Sequence, residues 1–60
     1  MKWFYVINGT GSRKVRKSEP IYGSEAEALK AGTDYLRANK ASLMRSDDPT
    51  EVFSVMTGRQ

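Results

Sequence analysis

The segment Trp3-Phe4-Tyr5-Val6-Ile7 decides the fold of this chain, because its residues are all aromatic or β-branched and turn residues follow them. Residues of these types, in a short run bounded by a turn, predict a β-strand. Successive side chains of a strand point to opposite faces, so Phe4 and Val6 share one face and the other three share the opposite one. A strand that is apolar on both faces is typical of the middle of a sheet. We therefore expect this strand to be central.

A turn and a strongly basic strand follow. Residues 8–12, Asn-Gly-Thr-Gly-Ser, hold two glycines, and glycine readily takes the positive φ of a hairpin turn. Residues 13–18 then return as a second strand, in which Val15 is the single apolar residue. Alternation would place Lys14 and Arg16 together on one face and Val15 on the other. A strand this charged belongs at the edge of a sheet.

A helix is predicted over residues 24–39. Ser24 and Glu27 have the spacing of a capping box, in which two side chains satisfy backbone N–H groups at a helix start. Lys30 and Asp34 are spaced to pair on the solvent side. The residues expected to face the sheet form one stripe of the helical wheel: Ala28, Leu29, Gly32, Tyr35, Leu36 and, near the end, Leu43.

Gly32 lies within the predicted apolar stripe, where glycine costs about 1 kcal/mol relative to alanine. A close approach of the helix to the sheet would offset this cost. We therefore expect the ring of Trp3 or Tyr5 to pack against Gly32.

The remaining segments complete a single domain over residues 1–60. Residues 40–50 are predicted to form a polar loop, 51–57 a last short strand, and 58–60 a frayed end. The order is thus β-β-α-β. The fold class is α+β: a three-stranded, mainly antiparallel sheet, with the first strand central and one helix packed on one face.

Cysteine and histidine are both absent from the chain. Their absence excludes disulfides and Cys/His zinc sites, and it removes the commonest general base and the best nucleophile. We therefore expect a protein that is not an enzyme, with no catalytic residue, no cofactor and no small-molecule substrate.

Two stretches bear a superficial likeness to ligand sites. Asp47, Asp48 and Glu51 are three acids close together, but their spacing does not match a calcium-binding loop, and we interpret them as part of a solvated loop. Residues 9–14, Gly-Thr-Gly-Ser-Arg-Lys, lack the spacing of a phosphate-binding loop, and we assign them to the hairpin turn. No metal or nucleotide site is predicted.

The N-terminal residues do not have the pattern of a signal peptide, because only five apolar residues follow Lys2. No stretch of the sequence approaches the roughly 20 apolar residues of a membrane span. We expect a cytoplasmic protein without membrane contact.

Positive charge is concentrated in residues 1–17, which contain five basic and no acidic residues. The net charge of the whole chain is only +3. Arg13, Lys14, Arg16 and Lys17 are therefore candidate nucleic-acid-binding residues, since cations along a two-stranded ribbon can follow a phosphate backbone. The layout of residues 3–38, a basic hairpin followed by a Ser-x-x-Glu helix, is similar to that of the small three-stranded arm-binding domains of phage-type integrases.

The main hypothesis from the sequence is that the chain is an interaction module, which binds a protein partner or forms a homodimer. Its contact patch would be the sheet face opposite the helix, where Phe4 and Val6 are expected. Nucleic-acid binding through the basic hairpin is the alternative. The two differ in their dependence on salt, which weakens binding to phosphates and has little effect on apolar contacts.

Overall fold

A computed structural model describes residues 1–45, 47 and 50–60 of the chain and contains one helix packed on a three-stranded sheet. A single 3₁₀ turn, Thr10–Ser12, connects the first two strands. The elements in chain order are β1 (Trp3–Asn8), β2 (Lys14–Lys17), α1 (Glu25–Leu43) and β3 (Ser54–Arg59).

The strand order in the sheet is β2-β1-β3, and β1 pairs antiparallel with both neighbours. This confirms the predicted α+β fold with a central first strand. Cross-strand partners share a face of the sheet. Tyr5 opposite Thr57 and Ile7 opposite Val55 lie on the side that packs against α1, which we call the helix face. The opposite side is called the open face.

β3 begins and ends later than the sequence suggested. The predicted strand was 51–57, whereas the observed strand is Ser54–Arg59. The prediction that 58–60 fray was wrong, because the N–H and C=O groups of Lys2 and Gln60 are mutually bonded at 2.9 and 2.8 Å. Backbone pairing with the start of β1 needs no apolar side chain, so the side-chain pattern gave no sign of it.

A bulge interrupts the pairing of β1 with β2. Ile7 lies opposite Arg16, but the next pair is Asn8 with Lys14, so Val15 is the extra residue. The predicted alternation of residues 13–17 is therefore wrong. Arg16 shares the helix face with Ile7, whereas Lys14 lies opposite Asn8, on the side of the open face.

The connection from β2 to α1 is bonded to β1. The N–H of Ser18 donates to the carbonyl of Tyr5, and the hydroxyl of Ser18 accepts from the N–H of Tyr5, both at 2.9 Å. Trp3 and Tyr22 exchange backbone bonds of 2.8 and 3.1 Å. The backbone N–H and C=O groups of β1 that point towards β2 thus have hydrogen-bond partners even beyond the end of this short strand.

The capping box at the start of α1 is present. The Ser24 hydroxyl accepts from the N–H of Glu27 at 3.2 Å, and the Glu27 carboxylate accepts from the N–H of Gly23 at 3.0 Å. Residues 40–43 continue the helix, so this part of the predicted loop was wrong; they include no Gly or Pro that would stop a helix. Within the described ranges, no helix has the length and hydropathy needed to cross a membrane.

The core is centred on Tyr5, Ile7 and Ala28, which are almost fully buried. A Cβ atom at Gly32 would lie 2.9 Å from Cγ of Tyr5 and 2.7 Å from Cγ1 of Val55, so the helix touches the sheet at this glycine. The predicted burial of Leu29 was wrong, since this residue is 45% exposed.

Candidate interaction surface

The open face consists of alternate residues of the three strands. β1 provides Phe4, Val6 and Asn8, and their partners on β3 are Gly58, Met56 and Ser54. Lys14 and Lys17 of β2 lie opposite Asn8 and Val6. No described element of the chain packs over this face.

Phe4 lies between Gly58 and Lys17. A Cβ atom at position 58 would approach within 2.9 Å of three ring carbons of Phe4, so the ring covers the glycine closely. The Lys17 ammonium lies 4.7 Å from the centre of the same ring, a cation–π contact. The aromatic ring is therefore held in place on the sheet, with a cation beside it.

Val6 and Met56 continue the apolar surface. They are cross-strand partners, and Met56 is 59% exposed. The side-chain amide of Asn8 donates to the sulfur of Met56 at 3.5 Å. Together, Phe4, Val6 and Met56 form what we call the apolar strip. Met56 lies on the open face because of the register between β3 and β1, which the sequence alone did not determine.

Two of the four predicted nucleic-acid-binding cations are held in contacts inside the fold, and Arg13 is the first. Its Nε and Nη2 atoms donate to the Glu51 carboxylate at 2.8 and 2.6 Å, and Nη2 also donates to the carbonyl of Leu43 at 3.4 Å. The Glu51 side chain has no solvent exposure. Arg13 thus ties the hairpin to the end of α1 and to the segment before β3.

The environment of Glu51 favours its ionised form. The hydrogen bonds from Arg13 are the main cause that lowers the pKa of this carboxyl, and backbone N–H groups of Arg45 and Thr10 add to the effect. These groups donate at 3.4 and 3.2 Å. The pair is partly buried, since the Arg13 side chain is 31% exposed, and it joins the hairpin, the end of α1 and the segment before β3.

Arg16 is the second cation with contacts inside the chain, although it remains exposed. Its guanidinium lies 4.2 Å from the centre of the Tyr35 ring, and its Nε donates to the Tyr5 hydroxyl at 3.0 Å. The hydrogen bond to Tyr5 is the largest contribution raising the pKa of Arg16. Arg16 thus packs against the helix side, leaving Lys14 and Lys17 on the open face. The four cations do not form one line.

Of the acidic residues considered as a metal site, Asp47 and Glu51 each accept hydrogen bonds from an arginine side chain. Glu51 binds Arg13, and the Asp47 carboxylate accepts from Arg45 at 3.1 and 2.9 Å. Asp48 lies outside the described residues. Among the residues that are described, no three His, Cys, Asp or Glu side chains are grouped so as to hold a metal ion.

A shallow groove of about 560 Å³ lies between the second half of α1 and the segment that enters β3. Its apolar lining comes from the helix and from both sides of the connection: Leu36, Met44, Val52 and Phe53. Arg37 and Lys40 also border it. The sequence gave no sign of this groove, because it depends on how the connection returns along the helix.

Comparison with known proteins adds no assignment to this geometry: no protein family model, no curated protein and no solved structure matches the chain.

Proposed function

We propose that this chain is a non-enzymatic interaction module that binds a partner protein through the open face of its sheet. The observation that carries the proposal is the uncovered apolar strip of Phe4, Val6 and Met56, in which Met56 is 59% exposed. Contiguous apolar side chains on a small domain favour contact with another macromolecule, because their transfer from water stabilises the complex.

The charges beside the apolar strip favour a partner of complementary sign. Lys14 and Lys17 flank the strip, and none of the strand residues paired on the open face is acidic. A partner surface with an apolar centre and carboxylates at its rim fits this pattern. Two copies meeting face to face would bring the lysines together without any acid to pair them, which is unfavourable.

Nucleic acid is the alternative occupant of the same face. Lys17 beside the half-buried Phe4 ring, with Lys14 farther along β2, supports it, since cations and an aromatic ring together bind single strands. Arg13 and Arg16, the other two predicted contacts, bind Glu51, Tyr5 and Tyr35 within the chain. Glu51 neutralises the charge of Arg13, and Arg16 lies on the helix face, apart from Lys14 and Lys17. The open face therefore has two of the four predicted cations, and a protein partner is the better-supported proposal.

A site-specific photocrosslinker in place of Met56 tests the proposal in cells that express the chain. We expect a discrete protein adduct at position 56, absent when Val6→Lys is added, because the charge disrupts the apolar strip. Ala38 is exposed on the helix and provides a matched control position. Equal adduct formation at positions 38 and 56 would contradict the proposal.

The nucleic-acid alternative is decided by titrating labelled duplex and single strands at two salt concentrations. Binding through Lys14 and Lys17 would give a logarithmic salt slope of about −2 for duplex DNA, and Lys14→Glu and Lys17→Glu would each reduce it. Strong binding of this kind, together with crosslinking to nucleic acid at position 56, would replace the protein partner. Absence of binding at low salt would eliminate the alternative.

A further inference from the structure

The outer edge of β3 has unpaired backbone groups. The backbone N–H and C=O groups of Lys2 and Gln60 are hydrogen-bonded to each other. Hydrogen-bonded pairs alternate with non-bonded pairs along an antiparallel ladder. Gly58, Met56 and Ser54 are therefore bonded to β1, two residues apart. The N–H and C=O groups of Val55, Thr57 and Arg59 point the other way, towards the edge. Within the described part of the chain, these groups have no backbone hydrogen-bond partner.

The two edges of the sheet differ in their protection against pairing. β2 has three cations in four residues and a bulge, both of which oppose the addition of another strand. β3 is longer, regular along its pairing with β1, and carries only Arg59, at its last position. An uncharged, regular edge strand is a template for pairing with a further strand.

Apolar side chains of α1 lie beside the unpaired edge of β3, on the helix face of the sheet. Tyr35 faces β2, as its contact with Arg16 shows, so residues on the other side of Gly32 face β3. Leu29 and Leu36 lie on this side by helical spacing, and Leu36 borders the groove that leads to β3. Leu29 is 45% exposed although it belongs to the predicted apolar stripe. A second molecule beside β3 would cover it.

We propose that two copies of this chain associate by antiparallel pairing of β3 with β3, with the two-fold axis at Thr57. In this register, Thr57 lies opposite Thr57 of the second copy, and Val55 lies opposite its Arg59. All the outward backbone groups of β3 then find partners. The result is a six-stranded sheet in which the protected β2 strands form both outer edges.

The helices fit this arrangement. α1 contacts both β1 and β3, so the two helices would lie about two strand spacings apart, roughly 10 Å, which is the distance of directly packed helices. Leu29 would lie near the axis, in the contact between them. With Leu29 at the axis, the antiparallel helices place Glu25 of each copy opposite Thr33 of the other, so no like charges face each other across the helix contact.

The dimer is independent of the proposed partner binding. It uses the edge of β3 and one side of α1, and it leaves the open face of both copies uncovered. Val6→Lys, which disrupts the apolar strip, should therefore leave the dimer intact. Failure of one proposal is thus distinguishable from failure of the other.

Sedimentation equilibrium of the full chain over a range of concentrations tests the dimer directly. We expect a dimer mass that falls to the monomer mass on dilution. Leu29→Glu should weaken association roughly ten- to a hundredfold, since it removes a buried leucine from the interface. Ala38→Glu introduces the same charge elsewhere on the exposed helix surface and should have no effect. A chain that stays monomeric at about 1 mM would overturn the proposal.

Thr57→Pro tests the edge itself. The N–H of Thr57 points away from β1, so proline removes no bond within the chain but blocks pairing with a second copy. The circular dichroism spectrum shows whether the variant folds. A folded Thr57→Pro chain that dimerises as well as the wild type would exclude the β3 edge as the interface.

Disulfide formation tests the register, and it remains informative if Thr57→Pro does not fold. The chain has no cysteine, so Thr57→Cys introduces a single thiol. At the two-fold axis the two Cα atoms would be about 5.5 Å apart, within the range of a disulfide. Ser54→Cys is the control: it is more exposed but far from the axis. Faster crosslinking at position 54 than at position 57 would contradict the register.

Discussion

Glu51 shows how a single side chain can join distant parts of this fold. Its buried carboxylate accepts from Arg13, a residue 38 positions away, and from the backbone N–H of Thr10. The sequence suggested an exposed basic strand for Arg13 and, for Glu51, a solvated loop that leads into a strand. The predicted solvation of Glu51 was wrong, since its side chain is buried. Neither role involves the other residue, because an ion pair between segments so far apart leaves no local pattern.

The first prediction concerns the pH dependence of Glu51. Arg13 lowers the pKa of this carboxyl in the folded chain below its ordinary value of 4.5. The carboxylate therefore contributes stability above about pH 4.5, and that stability is lost as the pH falls through the folded pKa. Glu51→Gln should lower stability near neutral pH and flatten the acid limb of the curve.

Urea denaturation between pH 7 and 2.5 measures this effect. Asp34→Asn is the matched control: the pKa of Asp34 is also lowered, by Lys30, but the pair is exposed and screened by salt. If Asp34→Asn flattened the acid limb as much as Glu51→Gln, the special role of the Arg13–Glu51 pair would be disproved.

The second prediction concerns the close contact at Gly32. At an exposed position inside a helix, alanine stabilises the helix by about 1 kcal/mol relative to glycine. At position 32, however, the added methyl group would lie 2.7 Å from Val55 and 2.9 Å from Tyr5. Overpacking costs about 1–3 kcal/mol, so Gly32→Ala should leave stability unchanged or lower it, and Gly32→Leu should lower it further.

The measurement for Gly32 is the free energy of unfolding by urea. Ala38→Gly, at an exposed position in the interior of α1, measures the intrinsic cost of glycine in this helix and should lower the free energy of unfolding by about 1 kcal/mol. A gain of stability in Gly32→Ala would show that the helix does not touch the sheet at this glycine.

At the scale of elements, the sequence was most informative about β1 and about the start of α1. The strand β1 and the cap of α1 appear as predicted, because both depend on neighbouring residues. It was less informative about where elements end. α1 continues past residue 39, and β3 is displaced towards the C-terminus, because helix contacts and pairing with β1 stabilise these ends from outside the segment.

The third prediction concerns the N-terminus of α1. The Ser24 hydroxyl accepts from the N–H of Glu27, so Ser24→Ala leaves this donor without its partner. The expected loss is about 1 kcal/mol of the free energy of unfolding. Ser42→Ala, at an exposed position near the other end of the helix, should change stability little.

Thermal or urea unfolding monitored by circular dichroism measures the difference between the two serine variants. Glu27→Gln is a useful companion, since an amide oxygen can still accept from the N–H of Gly23. Equal stability of Ser24→Ala and Ser42→Ala would show that the cap is not a source of stability in this chain.

At the scale of the whole molecule, the core is small. Among the described residues, the buried apolar ones are Tyr5, Ile7 and Ala28, and a chain of this length buries only about 60% of its unfolded surface. Leu29, Val52 and Met56 remain largely exposed. Covering such residues with a second copy or a partner would therefore add a large share of the total stability.

The fourth prediction follows from this small core. If two copies pair through β3, unfolding is coupled to dissociation, and the thermal midpoint rises with chain concentration. We expect a clear rise over about a hundredfold range, and a smaller one for Leu29→Glu. Scanning calorimetry at several concentrations measures it. A midpoint independent of concentration would argue against the dimer.

The sequence by itself determined the order of elements and the central position of β1, and it limited the ring above Gly32 to Trp3 or Tyr5. These depend on alternation, helical periodicity and capping, which act between residues close in the chain. It also placed Phe4 and Val6 on the face opposite the helix, where the structure has them.

Only the tertiary structure decided the partners of the charged residues and the exposure of Leu29. One extra residue at the bulge sends Arg16 to the helix face, and the return of the chain near residue 51 gives Arg13 a buried partner. The docking of α1 over Gly32 leaves Leu29 at the side. Register and docking result from contacts between distant segments, so no short stretch of sequence encodes them.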